Sequence, residues 1–196
     1  MKPVLGNWMA DHFPSPEIWY EAKMNFIKST AIWSIIGYII GLGDRHGDNI
    51  LIHSHTGEVT HVDFDCIFEK GAKLRVPEIV PFRLTSNIMD AFGIFSEKGV
   101  FVKSCEIVMK VLRKNNRNIQ SFLSSFINDP LIEANNNVKV EIKDGLETVK
   151  KKLNGQISSS EQGASATVEE QVDQIILNAI NDESLKQMYI GWMPWL

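Results

Sequence analysis

The chain has 196 residues, 44% of them apolar and 22% charged, and a formal net charge of -4. That length can bury one sizeable core, and the acidic balance excludes the basic footprint of a nucleic-acid binder. The two cysteines, Cys66 and Cys105, exclude a disulfide framework and a paired-cysteine metal site, and they fit a reducing, intracellular compartment.

Met1 is followed by Lys2 and a mixed segment holding Pro3, Asp11 and Pro14, unlike the apolar run of a secretory signal. Pro14-Ser15-Pro16 is a breaker, because a residue before proline is pushed out of the helical region. From Glu17 to Leu42 the spacing predicts a helix, with Ile32, Ile35, Ile36, Ile39 and Ile40 on one buried face and Gly41-Leu42-Gly43 as its stop. Its apolar run, Ala31 to Leu42, falls short of the roughly 20 residues that span a bilayer, so the expectation is a core helix and no membrane segment.

Asn49 to His53 and Glu58 to Phe64 read as strands joined by a turn at Ser54-His55-Thr56-Gly57. Arg75 to Arg83 contains Pro77 and Pro81 and reads as an extended loop. Thr85 or Ser86 is expected to cap a helix to Phe92, stopped by Gly93. Further helices are expected over Glu97 to Lys114 and Asn118 to Asn128. Asn135 to Gln162 is polar and reads as a flexible linker with one short helix, Leu146 to Leu153. Thr167-x-x-Glu170 is a capping box. It opens a helix with Val168, Val172, Ile175, Ile176, Ala179 and Ile180 on one stripe. The aromatic-rich end, Tyr189 to Leu196, is expected to pack back on the body of the protein.

Three oxygen-bearing side chains carry the chemistry. Phosphoryl transfer needs a carboxylate near the acceptor hydroxyl, and a carboxylate and an amide oxygen facing the metal ions. Asp44, Asn49 and Asp63 supply that set: Asp-x4-Asn, a hairpin, then Asp-Phe. The hairpin returns the chain to the edge it left, so Asn49 and Asp63 would face one cleft. Magnesium takes hard oxygen ligands and keeps several waters, so two protein ligands plus phosphates suffice.

In this loop the histidine follows the aspartate (Asp44-Arg45-His46). The stretch Gly41-Leu42-Gly43-Asp44-Arg45-His46-Gly47-Asp48-Asn49-Ile50-Leu51 resembles the catalytic loop of the phosphatidylinositol-3-kinase superfamily. His61-Val62-Asp63-Phe64-Asp65 resembles its metal-binding segment. Val80-Pro81-Phe82-Arg83-Leu84-Thr85 resembles the end of the activation loop in the phosphatidylinositol-3-kinase-related protein kinases, and Tyr189 to Leu196 resembles their closing FATC domain. Within that family the ATR-like branch is nearest, on Met1-Lys2-Pro3-Val4-Leu5, Val62-Asp63-Phe64-Asp65-Cys66 and Pro77-Glu78-Ile79-Val80-Pro81.

The resemblance implies an α+β, mostly helical fold: the C-terminal lobe of a kinase, with a small antiparallel hairpin at the active site and a C-terminal FATC helix. It divides the chain into a kinase C-lobe (1–132, with the catalytic loop at 43–50 and the metal-binding and activation loop at 63–85), a flexible regulatory insert (133–164) and a FATC domain (165–196). It implies that Asp44 orients the substrate hydroxyl or accepts its proton, that His46 neutralises the transferring phosphoryl group, and that Asn49 and Asp63 bind Mg2+ or Mn2+ and with it ATP. Lys70, Lys73, Arg75 and Arg83 lie where a peptide substrate would pass. The substrates implied are proteins with Ser/Thr-Gln sites in DNA-damage and replication checkpoint signalling, in the nucleus, with the dedicated interacting partner subunit of the ATR-like branch.

Asp65 stands where many kinases have glycine, which reduces backbone freedom; the ATR-like branch varies there, so no loss of activity is implied. A glycine-rich phosphate loop followed by a strand lysine is absent from the sequence. The expectation is therefore that Met1 is a fragment boundary, that the nucleotide-holding N-lobe of the same chain is missing, and that this segment alone is not an efficient kinase.

Competing readings rest on other residues. Asp-Arg-His could be a surface ion pair, Asp48 a local cap and Arg83 a structural group. His53-x-His55 and His61-x-Asp63 could form a zinc hydrolase site, although histidines flanking a turn are usually solvated. The chain could be a non-catalytic binding module acting through its helices and tail, or belong to a lipid kinase of the same superfamily.

Overall fold

The computed structural model describes residues 2–93, 99–125, 136–156 and 165–195. Eight α-helices and one two-stranded antiparallel sheet are found there: α1 (Leu5–His12), α2 (Pro16–Ile40), β1 (Ile50–Ile52), β2 (Val59–His61), α3 (Ser86–Phe92), α4 (Val100–Lys114), α5 (Asn116–Ser124), α6 (Asn136–Leu153), α7 (Val168–Ala179) and α8 (Asp182–Gln187).

Helix α2 is the axis of the molecule. Proline near its start has its φ preset for a helix, and Gly41 ends it in the left-handed region (φ 61°), with the Leu42 N–H returning to the Gly37 carbonyl. Ile27, Ala31, Ile35 and Ile39, four residues apart, are buried. Ile32 is exposed instead of buried, and Ile36 and Ile40, which continue its row, are half-buried. Phe26 of α2, Phe92 of α3 and Phe101 of α4 pack in sequence with tilted rings, their centroids 5.7 and 4.9 Å apart. Helix α4 packs along α2, and α7 packs on α4.

The hairpin pairs Ile50 with His61, Leu51 with Thr60 and Ile52 with Val59. Two strands alone are marginal in water, and here α2 holds them. Asn25 Nδ2 donates to the Thr56 carbonyl (3.0 Å), Ser29 Oγ accepts from the Val59 N–H (2.8 Å) and Trp33 Nε1 donates to the Val59 carbonyl (3.0 Å). These three residues fall four apart on one helical face. Gly57, at φ 72°, permits the close approach: a Cβ there would lie 2.6 Å from the Ala22 carbonyl oxygen.

The expected polar linker is partly an ordered element. Helix α6 runs over 18 residues, ten residues earlier than the short helix expected, and buries Ile142, Val149 and Leu153. The Ser158 to Gly163 stretch, Ile94 to Lys98, Phe126 to Asn128 and Leu196 lie outside the described residues. Gly145 of α6 sits directly on Phe68, and a Cβ added to it would come 2.4 Å from the Phe68 Cβ. An alanine in a helix interior ordinarily stabilises relative to glycine. Gly145→Ala is expected to do the opposite here, costing about 1–3 kcal/mol through overpacking, read as a lower midpoint in denaturant unfolding.

The capping box forms as expected: Thr167 Oγ1 accepts from the Glu170 N–H and the Glu170 carboxylate accepts from the Thr167 N–H. Val172, Ile175, Ile176 and Ala179 of α7 are buried. Trp192 of the tail is buried, whereas Tyr189 and Trp195 are exposed. Among the described residues no helix is long and apolar enough to cross a membrane.

Candidate active site

The end of α2 delivers Asp44, and the hairpin brings Asn49 and Asp63 back beside it. The Val62 N–H donates to the Asn49 carbonyl (3.0 Å), so the residue before Asp63 is paired directly with Asn49. Arg45 rivets the two loops together. Its guanidinium donates to the carbonyls of Gly43 (2.9 Å), Val62 (2.7 Å) and Asp63, and the residue is 3% exposed. The arginine of the Asp-Arg-His run is therefore not in a surface ion pair: it is spent on backbone oxygens.

Asp44 and Asp63 both sit in the left-handed backbone region, at φ 60° and 59°. A non-glycine residue held there costs about 1–2 kcal/mol, and such residues cluster at functional sites. The Asp44 side chain remains 47% exposed, with His46 Nε2 4.0 Å from its Oδ2. His46 Nδ1 accepts from the Asp48 N–H (3.2 Å), which leaves Nε2 turned toward Asp44. Asp48 itself is solvated.

Asn49 is 7% exposed and its Nδ2 donates to the Asp44 carbonyl (2.8 Å). That bond fixes the amide and leaves Oδ1 as the oxygen it can offer. Asp63 Oδ1 accepts from the Asp65 N–H (3.2 Å), which orients the carboxylate. An amide oxygen and a carboxylate on neighbouring strand ends are a hard-oxygen donor set that fits magnesium or manganese.

Around this centre the sequence reading needs one correction and one addition. Arg83 does not face a substrate. It is 6% exposed, donates to the carbonyls of Arg45 (3.4 Å), Trp192 and Met193 (2.9 Å), and stacks on the Trp192 ring at 4.5 Å. Burial pulls its pKa down to about 10. Glu78 was missed: both of its oxygens accept the Asp44 N–H. Burial raises its pKa.

Lys70, Lys73 and Arg75 lie on the exposed loop. Lys70 Nζ donates to the Asp65 carbonyl (3.1 Å) and Lys73 pairs with Glu141 of α6 (3.4 Å). Lys152 of α6 reaches Glu69 and the Tyr38 carbonyl (2.6 Å).

The histidines do not assemble a zinc centre. His53 Nδ1 accepts from the Thr56 N–H in its own turn (3.2 Å), and His61 stacks on Trp33 at 4.9 Å. Among the described residues no group of three or more His, Cys, Asp or Glu is placed to hold a metal ion. Burial, then the positive Arg45, push the His61 pKa from 6.5 down to about 4. The folded protein thus refuses a proton that the unfolded chain accepts. Stability from His61 is intact above pH 6.5 and is lost as pH falls toward 4. Unfolding midpoints measured across that window should decline, and His61→Phe should flatten the slope.

Residues 1–136 match the family described as phosphatidylinositol 3- and 4-kinase, and residues 165–196 match the FATC domain. Serine/threonine-protein kinase MEC1 of Candida albicans is 44% identical over 194 residues, 99% of this chain and 8% of that protein. Serine/threonine-protein kinase ATR of Arabidopsis thaliana is 40% identical over 201 residues, 98% of this chain and 7% of that protein. Protein kinase rad3 of Schizosaccharomyces pombe is 41% identical over 199 residues, again 8% of its length. The chain thus spans under a tenth of these relatives. The solved FAT and kinase domain of CtTel1 superposes with a TM-score of 0.88 at 37% identity, over 99% of this chain and 14% of that one.

Proposed function

The chain belongs to the phosphatidylinositol 3- and 4-kinase family and carries a FATC domain, and from this premise we propose that it is the catalytic C-lobe of an ATR-like serine/threonine protein kinase. The observation that carries the reading is the gathering of Asp44, Asn49 and Asp63 into one loop cluster by Arg45, the Asn49 amide and the hairpin. In this reading the acceptor hydroxyl donates to the exposed Asp44 carboxylate, which orients its oxygen toward the γ-phosphorus of ATP and takes its proton as the new bond forms and the bond to ADP breaks. His46, beside Asp44, offers Nε2 toward the developing phosphoryl charge. Asn49 Oδ1 and the Asp63 carboxylate would hold magnesium or manganese, which when bound supplies positive charge against the phosphate oxygens.

In this reading the remaining contacts to ATP come from a glycine-rich N-lobe of the longer kinase, so efficient catalysis is expected of that longer kinase and not of this segment alone. We assign the domains as a C-lobe to residue 132, an intervening segment to 164 and the FATC domain beyond, with Lys70, Lys73 and Arg75 along the path of the peptide. The similarity to the serine/threonine-protein kinases MEC1 and ATR and the protein kinase rad3 supports serine or threonine residues of proteins as acceptors; on the ATR-like motifs we extend this to Ser/Thr-Gln sites, checkpoint signalling in the nucleus and a dedicated partner subunit. The test is phosphate transfer by the intact kinase to a Ser-Gln peptide, the same peptide with Ser-Ala, and phosphatidylinositol vesicles. The expected order is Ser-Gln well above Ser-Ala, with no lipid product. Preferential lipid phosphorylation would overturn the assignment.

A further inference from the structure

Asp44 is one of the two strained residues of the site, with Asp63, and part of what holds it comes from elsewhere in the chain. Asn49 Nδ2 grips its carbonyl from within the same loop. Its N–H is taken by Glu78, 34 residues on, with Oε1 at 2.9 Å and Oε2 at 2.8 Å. The Glu78 carboxylate is seated in a slot that glycines keep open. A Cβ on Gly43 would lie 2.6 Å from Glu78 Oε2, and one on Gly71 would lie 2.5 Å from it. The Glu78 N–H donates to the Gly71 carbonyl (3.0 Å), so its backbone is anchored on the far side of the same slot. Both oxygens of this part-buried acid are turned to one backbone N–H, that of Asp44.

The geometry points to Glu78 as a positioning residue for phosphoryl transfer: by gripping the Asp44 N–H it sets the left-handed turn that presents the Asp44 carboxylate. Seating of the loop from Gly71 to Pro81 thereby becomes a condition for placing the acceptor hydroxyl. The inference rests on the proposed role of Asp44. It predicts a larger effect on turnover than on nucleotide binding, because Asp63 is held by Arg45 and the Asn49 backbone by the hairpin, and only the Asn49 amide is tied to Asp44.

The experiment compares Glu78→Ala, Glu78→Gln and Asp44→Ala in the intact kinase, measuring kcat, the KM for ATP and the melting temperature. Glu78→Ala is expected to lower kcat by about 10²-fold, the scale of a misplacement near 1 Å, with the KM for ATP within about twofold of wild type. Glu78→Gln keeps one acceptor oxygen in the slot and is expected to recover several-fold of the loss. Wild-type kcat in Glu78→Ala, beside an inactive Asp44→Ala, overturns the inference and leaves the site assignment standing. So does a Glu78→Ala protein whose ATP affinity and melting temperature fall together with kcat, unrelieved by glutamine. An active Asp44→Ala overturns the site assignment itself.

Discussion

Asp44→Ala in the intact kinase is expected to lower peptide-phosphorylation turnover by about 10²–10⁴-fold, the contribution of a positioned acid–base group, while the fold survives. The reason is a division of labour within one residue. The contacts that fix Asp44 run through its N–H, to Glu78, and its carbonyl, from Asn49, and alanine retains both. What alanine removes is the carboxylate, which is half exposed and therefore contributes little to packing. Alanine at φ 60° adds strain of no more than about 1 kcal/mol over aspartate, so melting temperature should barely move. Asp63→Ala should lose turnover on the same scale and also raise the metal concentration needed for half-maximal rate. Turnover near wild type in either variant would remove the chemistry assigned to this cluster.

The second large effect belongs to Arg83. Removing its guanidinium leaves the carbonyls of Arg45, Trp192 and Met193 short of their donors in a buried setting and takes a cation from the Trp192 face. Each unsatisfied buried group costs about 1–3 kcal/mol, so Arg83→Ala should destabilise by about 3–5 kcal/mol. Arg83→Lys should not rescue it, since a single ammonium cannot span carbonyls on two separate segments. The checks are the denaturant midpoint and amide exchange: residues 188–193 should exchange faster, and the catalytic loop at Arg45 should loosen with them. An unchanged midpoint would show that the contacts at Arg83 are dispensable.

Legibility in the sequence followed the range of the signal. Helix α2, the hairpin and α7 are written locally, in a proline at a helix start, glycines at φ 61° and 72°, and a capping box. The motif residues around the site were legible for the same reason. Helix α1 was not, because its N-terminus is capped from a distance: Asn87 Oδ1 accepts the N–H groups of Val4 (2.8 Å) and Leu5 (2.9 Å). Most of α6 was hidden because its asparagines, lysines and Gly145 dilute the apolar pattern, and that glycine has a use visible only against Phe68. Glu78 was out of reach for a related reason, and Arg83 was singled out with a structural role and a substrate role both left open. A charged residue in a loop with two prolines carries no local sign of burial, and nothing nearby in the chain reveals that Glu78 lies against Asp44 or that Arg83 donates to the tail.

Helix α6 touches the loop after Asp63 at three points: Glu141 on Lys73, Gly145 on Phe68 and Lys152 on Glu69. Those positions are four and then seven residues apart, so they form a straight ridge about 16 Å long at 1.5 Å per residue. A ridge of this kind is a splint with a phase. Deleting one residue between Glu141 and Gly145 would turn everything before it by about 100° and swing Glu141 off the loop, with composition and length almost unchanged. Mutational tolerance in this segment should therefore differ sharply between substitutions and single-residue insertions or deletions.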